Sequence, residues 1–572
     1  MFRVKNIEVR NFKAFQENEE FDLSPKGKNV LVYGSNGSGK SSLFWALYTF
    51  LQSSIKVDED VQKYFKNYIA ADDRTHQSLK NVFMGDEEDS YIKLTAINIE
   101  DETEKEFTIS HELIDTNNDT TISELNIASD FINYKLLHNF YRGSHRHEIN
   151  LWAVFERDIL PYFVDDANRP MLDKWYEFFD GENRVDGRAV GTETHRRTIL
   201  EQRIVDYNNE LTAFLSEVEA NANDFLKDHF FEGEQLIKIS LEFSERFTFE
   251  KIRNKDWKDE EWRRRNLRIR LRIETLKDDG SYHTIERPQS FLNEAHLTRI
   301  AIAIRIGALR TRPLAEARFK ILVLDDMLIS LDLSNRMDVV RIILNKENKE
   351  SLKFFDGFQK FIFTHDKGFF NLIRRNTDEE EWKYYNFTKD ELNNSSPTVK
   401  EDENNLQRAI RYFEEDEFEN CGNELRRGAE EILSSYLDPE MKRVGKDFES
   451  LTKKLDKAYK ILINRRLMKF KNRFLIDLDI EKIQKINGDI DSDPELNDQE
   501  KALLNQHKRR LFEFLIEFNK EGDRIVKHII GVKEVLDRVM NPASHSSENP
   551  LYRAELKDAI DKVKELKEHL NP

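Results

Sequence analysis

One short segment near the start of the chain constrains its fold more than any other: Gly34-Ser-Asn-Gly-Ser-Gly-Lys40-Ser41. It fits the spacing G-x-x-x-x-G-K-[ST] in full, between an apolar run at 29–33 and an apolar, helix-like run at 43–51. In such a strand–loop–helix unit, glycines let backbone N–H groups converge on a phosphate at the positive end of the helix. The flanking pattern argues against a chance Gly/Ser loop and predicts an α/β fold.

The loop predicts two cofactors, ATP and Mg²⁺. Lys40 would place its charge on the β and γ phosphates, and the Ser41 hydroxyl would ligate Mg²⁺. The predicted nucleotide-binding residues in this segment are Gly34, Ser35, Asn36, Gly37, Ser38, Gly39, Lys40, Ser41 and Ser42.

A second run, ILVLDD at 321–326, predicts an interior strand that ends in two carboxylates. Asp325 would hold Mg²⁺ through water, and Asp326 would orient the attacking water. Two acids that merely end a strand are the alternative, which is weak once the phosphate loop is accepted. Farther on, FIFTHD at 361–366 predicts another strand followed by His365, a candidate γ-phosphate contact. Taken alone, His365 would be an ordinary polar residue at a strand end.

The ordered set IEVRNFKAF, GSNGSGKSS, LVLDDMLISLD and FTHD resembles the SMC/RecF branch of ABC ATPases, over roughly residues 1–390. The resemblance implies an α/β head with a mixed sheet and a helical insertion. It also implies a homo-oligomer, at least a dimer, in which two heads sandwich two ATP molecules. Ser330-Leu331-Asp332 then corresponds to the D-loop, and a signature loop from one head completes the other's site.

Three positions depart from that family's pattern. The signature-like loop is LNEAH at 292–296, where Asn293 replaces Ser but would still donate to phosphate, and Ala295 replaces a Gly that allows close backbone approach. Asp326 stands where most such enzymes have Glu, which predicts slow or tightly gated hydrolysis. The glutamine loop is not evident, and Gln77 is only a guess.

The pattern predicts five segments: an ATPase lobe at 1–130, a helical insertion at 131–235, a second ATPase lobe at 236–392, a linker at 393–405 and an all-α domain at 406–572. The insertion is short and lacks a central Cys pair, which disfavours long SMC arms or a zinc hook. Cys421 is the single cysteine, so a disulfide or a Cys-based zinc site within one chain is excluded.

The carboxy-terminal segment carries two Arg-x3-Glu pairs, Arg426/Glu430 and Arg427/Glu431, beside an apolar helical stripe. Solvated i,i+4 ion pairs are the ordinary interpretation. Arg538 and His545 add an R-x6-H pattern that contains NPASH, which resembles the signature of HEPN domains. With the ATPase motifs, this arrangement is similar to the PrrC/RloC-type anticodon nucleases.

That resemblance implies metal-independent cleavage of RNA, with tRNA as the expected substrate, in anti-phage defence. His545 would act as general acid or base, Arg538 and Arg426 would neutralise the phosphorane oxygens, and Glu430 would orient an Arg or the His. A helix-cap or interface histidine is the alternative for His545. Two other functions stay open: a Septu-like sensor working with a separate nuclease, and a RecF-like DNA-repair ATPase.

Charge and hydropathy set the remaining limits. The net charge of -18 restricts nucleic-acid contact to local patches. Two such patches are predicted, each with a solvated or ion-paired surface as the alternative: Arg263, Arg264, Arg265, Arg268, Arg270 and Arg272, and a lysine-rich stretch at 441–474 that includes Lys453, Lys454, Lys457 and Lys460. The start lacks a signal-peptide core, and no apolar run reaches the roughly eighteen residues of a membrane helix. We therefore expect a cytoplasmic protein.

Overall fold

The computed structural model describes the chain except for residues 86, 119, 141–147, 166–168, 179–183, 186–187, 190–192, 232, 244–245, 249–266, 313–316, 327–332, 346–347, 390–395, 438–449, 475–489, 491–493, 495, 541–550 and 571–572. The chain divides into two compact units, residues 1–401 and 402–572. We refer to them as the amino-terminal and carboxy-terminal units. No helix in the described ranges is long and apolar enough to cross a membrane.

The strands in the described residues all lie in the amino-terminal unit. They are β1 (Phe2–Arg10), β2 (Asn18–Asp22), β3 (Asn29–Gly34), β4 (Tyr91–Asn98), β5 (Glu104–Ser110), β6 (Asp130–Asn133), β7 (Ile149–Asn150), β8 (Arg184–Val185), β9 (Arg188–Ala189), β10 (Ile237–Phe243), β11 (Ile269–Leu276), β12 (Tyr282–Thr284), β13 (Ile321–Asp325), β14 (Gln359–Thr364), β15 (Trp382–Thr388) and β16 (Thr398–Glu401).

The helices of this unit are α1 (Lys40–Gln52), α2 (Asp58–Gln62), α3 (Thr120–Ala128), α4 (Tyr134–Asn139), α5 (Trp152–Asp158), α6 (Met171–Tyr176), α7 (Glu193–Phe225), α8 (Pro288–Phe291), α9 (Glu294–Arg310), α10 (Leu333–Leu344) and α11 (Lys367–Arg375). Short 3₁₀ turns lie at Lys63–Phe65, Asp73–Gln77, Leu160–Tyr162 and Glu350–Phe355, and a π-helical turn at Leu226–Phe230 follows α7.

A six-stranded mixed sheet in the order β16-β15-β3-β14-β13-β6 forms the centre of the amino-terminal unit. Strands β15, β3, β14, β13 and β6 run parallel, and β16 is antiparallel to β15 at the edge. Every residue of β14 is buried, and the apolar residues of β13 are buried too, as expected for parallel strands that are covered on both faces. A four-stranded antiparallel sheet, β2-β1-β4-β5, packs its apolar face into the same core.

The sheet corrects two predicted boundaries. Strand β6 crosses the proposed break between residues 130 and 131 and pairs with β13, so residues 131–133 belong to the mixed sheet rather than to the insertion. Strand β16 occupies 398–401, within the predicted linker 393–405, because Val399 pairs with Phe387 and packs on the core. Strand β16 thus forms one edge of the mixed sheet, next to β15.

The insertion predicted to be helical, 131–235, contains the long helix α7 and also the short strands β7, β8 and β9. Helix α7 has 33 residues and packs along α9, where Gly307 permits unusually close contact. A methyl group at Gly307 would lie 2.7 Å from the Val218 carbonyl oxygen. The backbones of the two helices are therefore in direct contact at this glycine.

A buried charge cluster joins α9 to the mixed sheet. The Arg305 guanidinium forms two hydrogen bonds with the Asp130 carboxylate on β6, one of 2.9 Å from Nε. Arg312 lies 3.5 Å from the same carboxylate, and all three side chains are almost fully buried. A third hydrogen bond joins Arg305 to the Asp158 carbonyl. An uncompensated buried charge is costly, so these groups hold helix and strand together as a set.

Every regular element in the described part of the carboxy-terminal unit is helical: α12 (Asn405–Glu414), α13 (Phe418–Leu437), α14 (Leu451–Phe474), α15 (Asp498–Val535), the π-helical turn Leu536–Met540 and α16 (Arg553–Leu570). Asn404 and Gln407 form a capping box that starts α12. The core contains Cys421, Leu425 and Ala429 of the predicted apolar stripe, and Leu433 in addition.

Candidate functional site

The phosphate-binding loop, residues 34–41, connects β3 to α1 as the sequence predicts. Gly37 and Gly39 have φ values of 83° and 96°, a region that favours glycine. Gly39 is the N-cap residue of α1 and makes no side-chain cap, so the first N–H groups of the helix stay available to a ligand. The chain thus presents backbone donors and the positive end of a 13-residue helix at one point.

Lys40 folds back over this loop. Its Nζ donates to the carbonyl oxygens of Gly34 and Ser35, at 2.5 and 3.1 Å. Burial lowers its pKa, and the charges of Asp326 and Asp325 oppose that shift. Because the ammonium has only carbonyls and a carboxylate 4.0 Å away as described partners, it is ready to exchange the carbonyls for phosphate oxygens.

The serines of the loop differ in exposure. Ser35 and Ser41 are exposed, whereas Ser38 is buried and its hydroxyl has no hydrogen-bond partner among the described residues. The Ser42 hydroxyl is also buried and accepts a hydrogen bond of 3.2 Å from the Ala14 N–H. Ser42 therefore fastens α1 to the loop after β1, while Ser41 is open to a metal ion.

The acidic pair ends β13, beside β14. Burial raises the pKa of Asp325 to about 6, and the neighbouring Asp326 charge adds to the rise. Asp326 adopts a positive φ of 47°, which is uncommon for a residue other than glycine and concentrates at functional sites. Its N–H donates to the Phe363 carbonyl at 3.0 Å, so the backbone is fixed where it leaves the sheet.

His365 follows β14 and holds the Asp326 carboxylate. The His365 backbone N–H donates to Oδ1 at 3.0 Å, and Nδ1 lies 2.8 Å from the same oxygen. Asp366 caps α11 and accepts from Arg336 at 2.5 Å. A small cavity lined by apolar groups of α10 and α11 lies behind His365. Asp326 and His365, which the sequence predicts as separate catalytic residues, are therefore in direct contact, and the carboxylate is oriented before any substrate arrives.

Asn133 is a candidate metal-site residue that the sequence does not reveal. It ends β6, and its backbone is in register with Asp325 across the parallel β6–β13 pair. Because parallel strands end at one edge of the sheet, its side chain begins next to the predicted metal ligand. Gln77, the earlier guess for the glutamine loop, lies exposed at the end of a 3₁₀ turn. Only the register of a strand 192 residues away from Asp325 distinguishes Asn133, so no local signal could have found it.

The signature-like residue Asn293 is the N-cap of α9. Its side-chain oxygen accepts from the His296 N–H at 2.8 Å, so its amide NH₂ is the group left to donate. Ala295 is half-buried in the first turn. The D-loop residues 330–332 lie outside the described residues.

The carboxy-terminal candidates are only partly brought together. Arg426 Nε contacts Glu430 Oε1 at 3.4 Å, as the i,i+4 spacing predicts. The pairing of Arg427 with Glu431 is wrong, since Arg427 binds Glu424 at 2.6 Å. Glu424 is buried and also accepts from Arg408 of α12, and this packing attracts Arg427 toward it.

Arg538 lies in the π-helical turn Leu536–Met540, which packs against α13. Its side chain is 56% exposed and its guanidinium is 4.0 Å from Glu534. His545 lies outside the described residues. Arg426, Glu430 and Arg538 thus occupy two elements in contact.

The two basic patches differ. On β11, Arg272 pairs with Glu242 at 2.8 Å and Arg270 with Glu148 at 3.2 Å, which favours the ion-pair interpretation. Arg263, Arg264 and Arg265 lie outside the described residues. On α14, Leu451, Leu455 and Ala458 face the core, and Lys453, Lys457 and Lys460 are exposed. The lysine surface remains accessible to an anionic partner.

Comparison with known proteins adds one finding. Residues 6–219 match the AAA domain family, a range that contains the phosphate-binding loop and Asn133. No curated protein matches the chain in sequence.

Solved structures give weak similarities. They include the recombination mediator protein RecF with ATP (15% identity, 70% of this chain and 99% of that chain, TM-score 0.39) and the Smc head domain of Pyrococcus furiosus bound to the C-terminal domain of ScpA (14%, 73% and 100%, 0.38). The SMC head domain from Thermotoga maritima is similar at 13% identity, 70% and 99% coverage and a TM-score of 0.30. At these scores the likenesses do not establish a shared fold. What the comparisons establish is that the stretch 6–219, with its phosphate-binding loop, is similar to AAA domains.

Proposed function

We propose that the chain binds ATP with Mg²⁺ and hydrolyses it, and that this cycle controls the carboxy-terminal unit. The observation that carries the proposal is the meeting of Lys40 with the Asp325/Asp326 pair at one sheet edge, where Lys40 Nζ is 4.0 Å from Asp326 Oδ2. A phosphate grip and a carboxylate pair in that relation serve triphosphate chemistry.

The phosphate grip comes from backbone and lysine together. The N–H groups of residues 37–40 would bind phosphate oxygens, and Lys40 would transfer from the Gly34 and Ser35 carbonyls to the β and γ phosphates. Because Lys40 is buried, its charge-assisted hydrogen bonds to phosphate would be stronger than in water.

The donor set fits a magnesium ion. Ser41 would supply its hydroxyl and Asp325 its carboxylate through water, and Asn133 is in register to supply an amide oxygen. Mg²⁺ would neutralise charge on the phosphate oxygens. The raised pKa of Asp325 supports this fit, since a cation beside a buried carboxyl stabilises its ionised form.

Asp326 would orient the attacking water. Its Oδ1 is held by His365, which fixes the direction of the carboxylate. His365 would also contact the γ-phosphate. Asn293 would donate to the phosphate of a second head, which requires at least a dimer. Asp326 is shorter than the Glu that most such enzymes have at its position, and this supports slow, gated turnover.

Replacing Lys40 with Ala tests nucleotide binding. We expect Mg·ATP affinity to fall about 10–100-fold, because the loop loses its one cationic phosphate contact. Calorimetric titration measures this, with the exposed Lys66→Ala as the matched control. Equal affinity in Lys40→Ala and wild type would sink the proposal.

Replacing Asp325 with Asn has two opposite effects. Its pKa is raised to about 6, so the ionised form destabilises the folded state above that pH. Without nucleotide at pH 7.5, Asn should therefore stabilise the amino-terminal unit by about 1–3 kcal/mol. When ATP is present, Mg²⁺ should stabilise the wild-type protein further, and this extra stabilisation should be absent from Asp325→Asn.

Tryptophan fluorescence during urea unfolding reports on this, since all 6 Trp residues lie in residues 1–401. The advantage of Asn should vanish as the pH falls through 6 toward 4. A loss of stability without nucleotide at pH 7.5 would contradict the assignment.

For the carboxy-terminal unit we propose a HEPN-type ribonuclease that acts on RNA such as tRNA. Support comes from Arg426, Glu430 and Arg538, which are partly or largely exposed on two elements in contact. With His545 they would supply proton transfer and phosphorane stabilisation. The exposed lysines of α14 would bind the RNA backbone.

Sequencing RNA ends after expression tests this activity. Wild type should produce new 5′-OH ends, and His545→Ala and Arg426→Ala should lose them by about 100-fold or more. The adjacent Arg427→Ala is the control and should keep activity, because Arg427 serves Glu424. Full cleavage by His545→Ala would instead favour a scaffold for a separate nuclease. ATP hydrolysis stimulated by DNA ends without RNA cleavage would favour a RecF-like role.

A further inference from the structure

The β15–β16 hairpin supports the phosphate-binding loop at both of its ends. At the first end, Gly34 is in register with Phe387 of β15, and a methyl group there would lie 2.9 Å from the Phe387 carbonyl oxygen. At the second end, a methyl group on Gly39 would lie 2.7 Å from Pro397 Cγ. The loop therefore touches the hairpin on either side of its phosphate-binding backbone.

Pro397 is held firmly in this position. It is buried, and the hydroxyl of the preceding Ser396 accepts a hydrogen bond of 3.1 Å from the Gln16 N–H. The Phe15 ring closes the same pocket, 3.6 Å from a methyl group on Gly39, and packs edge-on against Phe387. A rigid pyrrolidine ring thus forms part of the wall behind Gly39.

Gly39 is the point where such a contact matters most. It directly precedes Lys40 and caps α1 with a φ of 96°, so its backbone sets the direction of the first helical N–H groups. A shift of Pro397 would move the wall against which Gly39 rests. Conversely, a phosphate that tightens the loop would act on Pro397 through the same contact.

The chain after Pro397 runs directly into the carboxy-terminal unit. Strand β16 spans 398–401, pairs with β15, and is followed by residue 402, where that unit begins. A single short strand therefore separates the loop contact from the boundary. The contact lies on the one covalent route from the ATP site to the helices.

We propose that Pro397 and Ser396 are positioning residues for the phosphate-binding loop, and that they link ATP occupancy to the state of the carboxy-terminal unit. This rests on the proposed ATP binding. The linkage is reciprocal, so if ATP changes the affinity of residues 402–572 for a ligand by some factor, that ligand changes the affinity for ATP by the same factor.

The test uses the full chain with Pro397→Gly, which removes the ring against Gly39, and Ser396→Ala, which removes the acceptor for Gln16. The exposed neighbour Thr398→Ala is the control. Mg·ATP affinity, turnover at saturating ATP, and amide hydrogen exchange in α12 and α13 with and without Mg·ATP are measured for each protein.

We expect wild type and Thr398→Ala to change exchange in α12 and α13 when ATP binds. Pro397→Gly should bind ATP about 5–30-fold more weakly, keep turnover at saturation within about 2-fold, and lose the exchange response. Preserved turnover shows that the variant is folded. Pro397→Ala, which keeps Cβ, should have an ATP affinity between those of wild type and Pro397→Gly.

Wild-type affinity and a wild-type exchange response in Pro397→Gly would overturn the inference and leave the ATPase proposal standing. ATP binding by wild type without an exchange response in α12 and α13 would overturn it as well. Absence of ATP binding by wild type would overturn both.

Discussion

Parallel pairing of β6, β13, β14, β3 and β15 is the constraint on which the candidate site depends. Parallel strands end at a common edge, so the residues that follow them meet even when they are far apart in sequence. The phosphate-binding loop follows β3, Asp326 follows β13 and His365 follows β14. If a single strand slipped by one residue, its side chains would change faces, and the lysine–carboxylate–histidine geometry would be lost.

The same edge carries a cost. Asp325 and Asp326 are adjacent carboxylates, and burial raises the pKa of the first to about 6. The charge of Lys40, whose Nζ lies 4.0 Å from Asp326 Oδ2, opposes this rise in the pKa of Asp325 only in part. A site that is electrostatically unfavourable alone and favourable with a cation is poised for ligand-dependent stability. In the Asp130–Arg305–Arg312 cluster, by contrast, each charged group has partners within the protein, and the cluster holds α9 on β6 without a ligand.

The features that could be predicted from the sequence are those that depend on residues close together in the chain. The apolar runs at 29–33 and 321–324, the loop glycines and the helical stripe around Leu425 are each explained by residues within one or two turns. Contacts between residues that are distant in sequence could not be predicted. The position of Asn133 depends on strand register, the contact of Pro397 depends on a hairpin that folds back over Gly39, and the ion pair of Asp130 depends on an arginine 175 residues away. Arg427 binds Glu424 rather than Glu431, because Arg408 of another helix holds the Glu424 carboxylate in position. The spacing of residues along one helix contains no information about a side chain, such as Arg408, that comes from another helix.

Phosphate release from ATP by purified protein, with Asp326→Asn beside wild type, tests the central claim most directly, because Asn is nearly isosteric but lacks the charge that orients water. The account predicts slow, Mg²⁺-dependent release by wild type and a loss of about 100-fold or more in the variant. Equal rates for the two proteins, or no release by wild type with Mg²⁺ present, would contradict it.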